Sequence, residues 1–278
     1  MRDFLAVLLL VASPGVTAAV HGPAAHGGAS HEAHAPAPAF DEKHALKVSQ
    51  GVLGKGPRDA MLTRADGTTV RLSDYRGKPL VVSLIYTSCY HICPTTTQHL
   101  AKVARTARAA LGTDSFRVLT IGFDTPKDTP QAMARFAREQ RVDLPGWDFA
   151  SADAATLKQL VEDVGFLYFP AAQGFDHLIQ ATVLDADGKI YRQVYGMTFD
   201  TPLLVEPLKE LVFGEPRTAS FLESVGNRIK LFCTVYDPAT DRYRFDYSIF
   251  IGGVIGLTGL GLVAFLVVRE WRRRRPTV

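Results

Sequence analysis

Cysteine is scarce in this chain, with three among 278 residues. Three are too few to staple a small disulfide-rich scaffold, which excludes toxins and growth factors of that kind. The net charge is also small, at +3. The last ten residues alone carry five arginines and one glutamate, so they account for all of this positive charge. The remainder is close to neutral, so the sequence predicts no basic surface for nucleic acid. Apolar residues are plentiful at 47% of the chain, which allows a substantial core.

The amino-terminal segment, residues 1–19, is predicted to be a signal peptide. An apolar run at residues 4–12 follows Arg2, and small residues at 16–19 supply a cleavage site. These nine apolar residues would span about 14 Å as a helix, which is too short to cross a bilayer. Asp3 offsets the charge of Arg2, so an uncleaved anchor stays open as the alternative.

Residues 20–53 are predicted to form a flexible leader, because alanine, glycine, proline and histidine dominate and large apolar residues are few. Five of the eight histidines of the chain lie in this leader: His21, His26, His31, His34 and His44. Imidazole binds copper, zinc and nickel, so metal capture is one interpretation of the leader. The irregular spacing defines no ligand geometry, and a solvated tether is the other interpretation.

The carboxyl-terminal segment contains a predicted transmembrane helix. Residues 248–268 include no charged side chain, and these 21 residues span about 31 Å as a helix, which matches the hydrocarbon thickness of a bilayer. The basic tail at residues 269–278 predicts a cytoplasmic carboxyl terminus. Juxtamembrane residues 215–247 and the domain before them are then expected on the periplasmic side of a bacterial inner membrane. Gly252 and Gly256 have the spacing that lets two helices pack closely, which leaves a dimer open.

The segment between leader and membrane, residues 54–214, has the pattern of an α/β domain. Apolar runs at residues 80–86 and 116–123 predict buried strands. Between them, apolar residues at helical spacing follow Pro94 and end at Gly112. Two further helices, a hairpin and a last helix follow along the chain. This alternation predicts a mixed sheet with helices on both faces, in a thioredoxin-like sandwich.

Two cysteines lie between the first of these strands and its helix. In open α/β sheets, ligands bind where strands end and helices begin. Cys89 and Cys93 are four residues apart, so a helical turn places both sulfurs on one face. The pair can then clamp one metal ion or close a disulfide, and thiolates, as soft ligands, favour Cu(I). A purely structural disulfide is the alternative.

A copper ion held by two thiolates calls for a third ligand, and the histidines are the candidates. His177 is the strongest, because it lies in a predicted loop directly before a strand. His91 lies between the two cysteines, and His99 lies farther along the helix. Both compete with His177, although a lone helical histidine is more often solvated or hydrogen-bonded.

Three motifs occur in a fixed order: Cys-x-x-x-Cys-Pro after the strand, Asp-Thr-Pro-Lys-Asp-Thr-Pro at residues 124–130, and an Asp-His pair that ends at His177. With these motifs the chain resembles the Sco/SenC family of copper chaperones over residues 54–214. The resemblance implies a thioredoxin-like fold. It also implies a copper site made by Cys89, Cys93 and His177.

The same resemblance implies a cargo and a partner. The chain would carry copper, with Cu(I) expected and Cu(II) also open, to the subunit of cytochrome c oxidase that accepts the dinuclear copper centre. Asp124 and Asp128 are marked as an acidic pair that tunes copper binding or partner docking. A turn and a helix-start charge are the alternative interpretation of these two residues.

Two features depart from the family's usual pattern. Many members carry an amino-terminal anchor, whereas the predicted anchor of this chain is carboxyl-terminal. The anchor follows an added segment that contains the third cysteine, Cys233. This cysteine is expected to be a buried or unpaired thiol.

Two enzymatic functions stay open beside the copper-binding module. A thiol–disulfide oxidoreductase would use Cys89 and Cys93 without a histidine, although such enzymes typically have two residues between their cysteines and this chain has three. A thiol peroxidase would need one activated cysteine and one resolving cysteine. No arginine adjoins Cys89 in the sequence to activate it.

Overall fold

The computed structural model describes residues 40–214, 233–238 and 240–273. Its strands, in chain order, are β1 (Met61–Arg64), β2 (Thr69–Arg71), β3 (Leu80–Ile85), β4 (Arg117–Gly122), β5 (Trp147–Ser151), β6 (Tyr168–Ala171), β7 (Gly174–His177), β8 (Gln180–Leu184), β9 (Ile190–Tyr195), β10 (Thr234–Asp237) and β11 (Arg242–Phe245). A seven-stranded sheet has the order β2-β1-β5-β4-β3-β8-β9. The pairs β6-β7 and β10-β11 form separate hairpins.

Helices connect these strands and cover the sheet. They are α1 (Glu42–Gln50), α2 (Ile92–Leu111), α3 (Pro130–Glu139), α4 (Ala154–Asp163), α5 (Thr201–Phe213) and α6 (Ser248–Arg273). Several begin with the caps that the sequence favours: Thr129 accepts a hydrogen bond from the N–H of Ala132 at the start of α3, and Pro130 follows it. The helix predicted around Pro94 and ending at Gly112 is found as α2, with Gly112 as its C-cap.

Strand β3 lies near the middle of the sheet, parallel to β4 and antiparallel to β8. Every residue of β3 is buried, which is typical of a strand that has both faces covered. The runs predicted at residues 80–86 and 116–123 are found as β3 and β4. The mixed sheet confirms the predicted α/β, thioredoxin-like sandwich. Strand β3 ends at Ile85, four residues before Cys89.

The prediction of a flexible leader as far as residue 53 is wrong for residues 42–50, which form α1. Asp41 caps this helix by accepting hydrogen bonds from the N–H groups of Lys43 and His44. Ser49 is buried, and its hydroxyl donates a 3.0 Å hydrogen bond to Gln180 of β8. Polar and small side chains make these contacts, so no run of apolar residues in the sequence predicted helix α1. The earlier part of the leader and the predicted signal peptide lie outside the described residues.

The juxtamembrane segment contains a hairpin that the sequence did not predict. Asp241 in its turn accepts hydrogen bonds from the hydroxyls of Thr201, at 2.7 Å, and Tyr236, at 2.8 Å, and forms an ion pair with Lys102. These contacts attach β10-β11 to α2 and α5. Cys233 lies at the start of the hairpin and is a buried free thiol, as expected.

Helix α6 contains the predicted membrane span. Its residues Phe250–Arg273 form a helix long and apolar enough to cross a membrane, and it is the one such helix in the described parts of the chain. The large apolar side chains of α6 are exposed, which suits a surface that lipid covers. The end of the basic tail, at residues 274–278, lies outside the described residues.

Candidate metal centre

The loop between β3 and α2 brings the two cysteines together. Helix α2 begins at Ile92, three residues after Cys89, so Cys89 lies just before the helix and Cys93 lies in its first turn. The backbone N–H of Cys93 donates a hydrogen bond to the Cys89 sulfur at 3.3 Å. The sulfur therefore occupies the place that an oxygen takes in an ordinary N-cap, and it faces the second cysteine.

A buried carboxylate fixes the shape of this loop. Asp128 accepts hydrogen bonds from the N–H of Thr87 at 2.8 Å, from the Thr87 hydroxyl at 2.7 Å and from the N–H of Asp124 at 2.8 Å. Burial raises the pKa of Asp128. Asp124 forms an ion pair with Lys127 at 3.0 Å. Asp128 thus ties the loop after β4 to the cysteine loop, and a tuning effect of the pair on copper stays a prediction.

The two thiols have different electrostatic environments. A hydrogen bond from the Cys93 thiol, helped by the N–H groups of Cys93 and His91 and by the Tyr86 hydroxyl, outweighs burial and lowers the pKa of Cys89 to about 4. The same hydrogen bond, together with burial, raises the pKa of Cys93. Both cysteines are free and buried. The surroundings therefore favour the thiolate form of Cys89 and the thiol form of Cys93.

His177 lies at the end of β7, in a hairpin and not in the loop that the sequence indicated. Its ring is surrounded by aromatic rings, with centroids 5.1 Å from Phe166 and 5.4 Å from Phe123. Its Nδ1 lies 2.8 Å from the Leu178 carbonyl oxygen. Because a carbonyl accepts, Nδ1 carries the proton and Nε2 keeps the lone pair that a metal needs. Burial lowers the pKa of His177, which favours the neutral ligand form.

The three predicted ligands share a region without forming a closed site. Within residues 40–214 and the two later described stretches, no three His, Cys, Asp or Glu side chains are close enough together to hold an ion. The Tyr86 ring is 5.3 Å from Phe123 and 6.4 Å from His177, and the Tyr86 backbone carbonyl accepts a hydrogen bond from the Cys89 N–H at 3.1 Å. Tyr86 therefore contacts both the cysteine loop and the ring of His177. The structure brings the two sulfurs together and places His177 on an adjacent hairpin.

The competing histidines occupy other positions. His91 precedes α2 and is exposed to solvent. His99 packs its ring on Phe199 at 4.6 Å, and its Nε2 lies 2.8 Å from the Phe199 carbonyl oxygen and 3.1 Å from the Phe199 backbone nitrogen. His99 is thus engaged in joining α2 to the segment before α5.

An open cleft of about 850 Å³ leads to Cys89. One wall is the cysteine loop, where Tyr90 is 96% exposed and Ile92 is 40% exposed. The opposite wall is the β6-β7 turn, with Gln173 and Gly174. A partner can therefore reach the Cys89 sulfur, whereas Cys93 is 3% exposed and lies deeper.

Sequence reasoning missed Tyr86 and the aromatic residues around it. Tyr86 directly follows β3 and is one residue of an apolar run, so its side chain looked like an ordinary core residue. The aromatic set consists of Tyr86, Phe123, Phe166, Tyr168 and Phe175. These residues come from separate segments, and no local pattern in the sequence connects them.

Comparisons with known proteins agree with this architecture. The SCO1/SenC family model matches residues 58–212. A SCO1 protein homolog of Bacillus subtilis is 24% identical over 139 residues, which cover 48% of this chain and 69% of that protein. A solved protein from Aquifex aeolicus VF5 is 32% identical, with a TM-score of 0.53, and the match covers 61% of this chain and 99% of that one.

The fold also matches a relative that was solved with its metal. Yeast Sco1 with copper bound is 17% identical, with a TM-score of 0.50, over 60% of this chain and 91% of that chain. At this identity the match concerns the fold. The family model spans more than half of the sequence, and it includes both cysteines, the Asp124–Asp128 turn and His177. The chain therefore belongs to the SCO1/SenC family.

Proposed function

We propose that this protein binds copper through Cys89, Cys93 and His177 and delivers it to the copper-accepting subunit of cytochrome c oxidase during assembly of the dinuclear copper centre. The observation that carries the proposal is the pair of buried cysteines linked by the hydrogen bond from the Cys93 N–H to the Cys89 sulfur, with Cys89 lining an open cleft. Family membership and the copper-bound yeast relative support it.

The donor set suits Cu(I) as cargo. Two sulfur ligands and one imidazole are soft or intermediate donors, which Cu(I) prefers to the carboxylates and waters of hard cations. Cys93 is a thiol in the free protein, so binding would release its proton. His177 would present Nε2, because Nδ1 is held by the Leu178 carbonyl. A three-coordinate ion stays open to an incoming ligand from the partner, which transfer requires.

We place the site outside the cytoplasm and anchor it through α6. The apolar surface of α6 supports a membrane span, and the arginines at its carboxyl end favour the cytoplasmic side. The domain would then lie on the periplasmic face. A periplasm-specific reporter fused after Val278 should be inactive, and an active reporter would reverse the orientation.

A thiol–disulfide oxidoreductase is the second candidate, and the unequal thiols favour it. The accessible Cys89 thiolate would attack a partner disulfide, releasing one partner thiolate and forming a mixed disulfide. Cys93 would then displace the second partner thiol and leave a Cys89–Cys93 disulfide. This reaction uses both sulfurs and needs no imidazole.

The deciding experiment is rescue of oxidase assembly in cells that lack this protein. Cys89→Ser should fail to rescue under either function. His177→Ala should also lose most assembly if copper delivery is the function, because the ion loses its third ligand. His99→Ala is the matched control and should rescue fully. Full rescue by His177→Ala, with none by Cys89→Ser, would instead establish the oxidoreductase.

A further inference from the structure

The mouth of the cleft that leads to Cys89 is bordered by apolar side chains. Tyr90 is 96% exposed and Ile92 is 40% exposed, on the loop that carries the cysteines. A single exposed aromatic residue is common on a protein surface, whereas neighbouring exposed apolar side chains beside a reactive sulfur are typical of a contact site. These two side chains, Tyr90 and Ile92, form the apolar rim of the cleft.

Tyr90 adds little to the stability of the fold. A side chain that is 96% exposed packs against almost nothing in its own chain. The loop beneath it is held by backbone groups, since the Cys89 N–H bonds to the Tyr86 carbonyl at 3.1 Å and the Cys93 N–H bonds to the Cys89 sulfur at 3.3 Å. The Tyr90 ring is thus displayed on a well-held loop, where another molecule can contact it.

The surroundings of the rim are poor in charge. Among the described residues that line the cleft, Lys127 alone has a permanently charged side chain, and it is paired with Asp124 at 3.0 Å. The solvent face of helix α2 differs, because it exposes Lys102 and Arg105. Exposed aromatic and aliphatic side chains in an uncharged surrounding are typical of the core of a protein–protein interface, from which charged residues are depleted.

The size of the cleft suits a loop of a partner protein. Its volume is about 850 Å³, which lies in the range of about 300–1,000 Å³ that holds a bound group of drug size. A folded surface cannot enter such a space, but a loop of a few residues can. Cys89 is 9% exposed, so an acceptor has to insert a side chain past the rim to reach its sulfur.

We propose that Tyr90 and Ile92 are the docking rim for a loop of the acceptor protein, which is uncharged where it meets the rim and brings a thiol, thioether or imidazole ligand to the copper ion. The identity of the acceptor rests on the function proposed above, whereas the position of the rim does not. Cu(I) keeps its oxidation state in this exchange. Bonds to the acceptor ligands form as those to Cys89, Cys93 and His177 break, and a proton from an acceptor thiol or from water returns to Cys93.

The first test measures, without metal, the affinity of the full-length protein in detergent for the copper-accepting subunit of cytochrome c oxidase. Tyr90→Ala should raise the Kd about 10- to 30-fold, as expected when an aromatic anchor of an interface is truncated. Ile92→Ala should raise it about 3- to 10-fold, and Tyr90→Phe, which keeps the ring, should stay within about threefold of the parent. Leu203→Ala is the matched control, because Leu203 is an exposed apolar residue of α5 outside the cleft, and it should leave the Kd unchanged. Thermal unfolding of Tyr90→Ala should match that of the parent, since the side chain is almost wholly exposed.

The second test varies the salt concentration. Because the rim carries no charge, the Kd of the parent should change less than about threefold between about 0.05 and 0.5 M NaCl. A partner recognised through surface charge would bind at least about 10-fold more weakly at the higher salt concentration. That result would contradict an uncharged docking surface.

The third test separates docking from copper binding. Tyr90→Ala should hold Cu(I) with the affinity of the parent, because Tyr90 is not a ligand of the ion. In a transfer assay, the acceptor concentration that gives the half-maximal rate should rise as the Kd does, while the rate at saturation should stay within about twofold of the parent. An unchanged Kd in Tyr90→Ala, or failure of the parent to bind the subunit, would overturn the proposal. If the parent fails to bind copper, the proposed function falls while the metal-free affinity still decides the role of the rim.

Discussion

At the residue scale, the candidate metal centre has an asymmetry between two cysteines that are alike in the sequence. The spacing of Cys89 and Cys93 predicted that the sulfurs share one face of a helical turn. The structure places Cys89 just before α2, where its sulfur accepts a hydrogen bond from the Cys93 N–H. The spacing could not predict which sulfur is ionised. That difference comes first from the hydrogen bond that the Cys93 thiol gives to Cys89, and then from N–H groups and a phenol that the fold brings to the same sulfur.

The different pKa values of the thiols predict how Cys89 reacts with iodoacetamide. Because its pKa is lowered to about 4, Cys89 should be a thiolate across pH 6–8, and its alkylation rate should be nearly constant there. Cys93→Ala removes the first cause of the shift and should move the midpoint of the pH–rate profile upward. Cys93→Ser keeps an O–H donor and should stay closer to the parent. A parent midpoint near pH 8.5, the ordinary thiol value, would contradict this assignment.

At the element scale, sequence patterns found the strands and helices that have long apolar runs and missed the short ones. Strands β3 and β4 and helix α2 were recognisable because burial on both faces, or on one helical face, leaves a periodic signal. Hairpins β6-β7 and β10-β11 have four-residue strands that depend on contacts with distant segments. Helix α1 buries a serine and an alanine, so it resembled the alanine- and histidine-rich leader that precedes it.

Docking of α1 on the domain predicts unequal effects of two glycine substitutions. A Cβ at Gly165, where φ is +65°, would lie 2.8 Å from the Ser49 Cα and 3.0 Å from the Val48 carbonyl oxygen. Gly67 has φ +87° and open space around it, so it is the matched control. Gly67→Ala should cost about 1–2 kcal/mol of unfolding free energy from backbone strain alone. Gly165→Ala should cost about 1–3 kcal/mol more because of the clash, as measured by denaturant unfolding. Equal losses would mean that α1 is not packed there.

At the scale of the whole molecule, the hairpin β10-β11 connects the α/β domain to the apolar helix α6. Lys209, a buried residue of α5, donates a 2.8 Å hydrogen bond to the Thr234 carbonyl and so adds to the contacts of Asp241. Strand β11 ends at Phe245, and α6 begins at Ser248, whose N–H bonds to Asp246 at 2.9 Å. The membrane span was predictable from composition, whereas this attachment was not, because it consists of single polar contacts.

The Asp241 contacts predict a local effect that leaves the metal site intact. Asp241→Ala removes the acceptor for Thr201, Tyr236 and Lys102, so amide exchange in β10 and β11 should become faster. Arg242→Ala, an exposed neighbour, is the control and should have little effect. Copper affinity should stay that of the parent in both variants. Faster exchange at the cysteine loop in Asp241→Ala would contradict a local role.

The same contact has a predicted pH dependence. The hydrogen bond from Lys102 is the first cause that lowers the pKa of Asp241 to about 2. A carboxyl group with a lowered pKa stabilises the folded state above its unfolded pKa and loses this contribution as the pH falls towards the folded pKa. The extra protection from exchange that the hairpin amides of the parent show over those of the Asp241→Ala variant, compared at the same pH, should therefore shrink as the pH falls from about 4 to 2.

The most direct test of the account is X-ray absorption at the copper edge of the Cu(I)-loaded, full-length protein. The account predicts two sulfur neighbours and one nitrogen neighbour, with one copper ion per chain. His177→Ala should keep both sulfurs and lose the nitrogen, while His99→Ala should give the parent spectrum. A parent spectrum with fewer than two sulfurs, or an unchanged spectrum in His177→Ala, would contradict the proposed copper site.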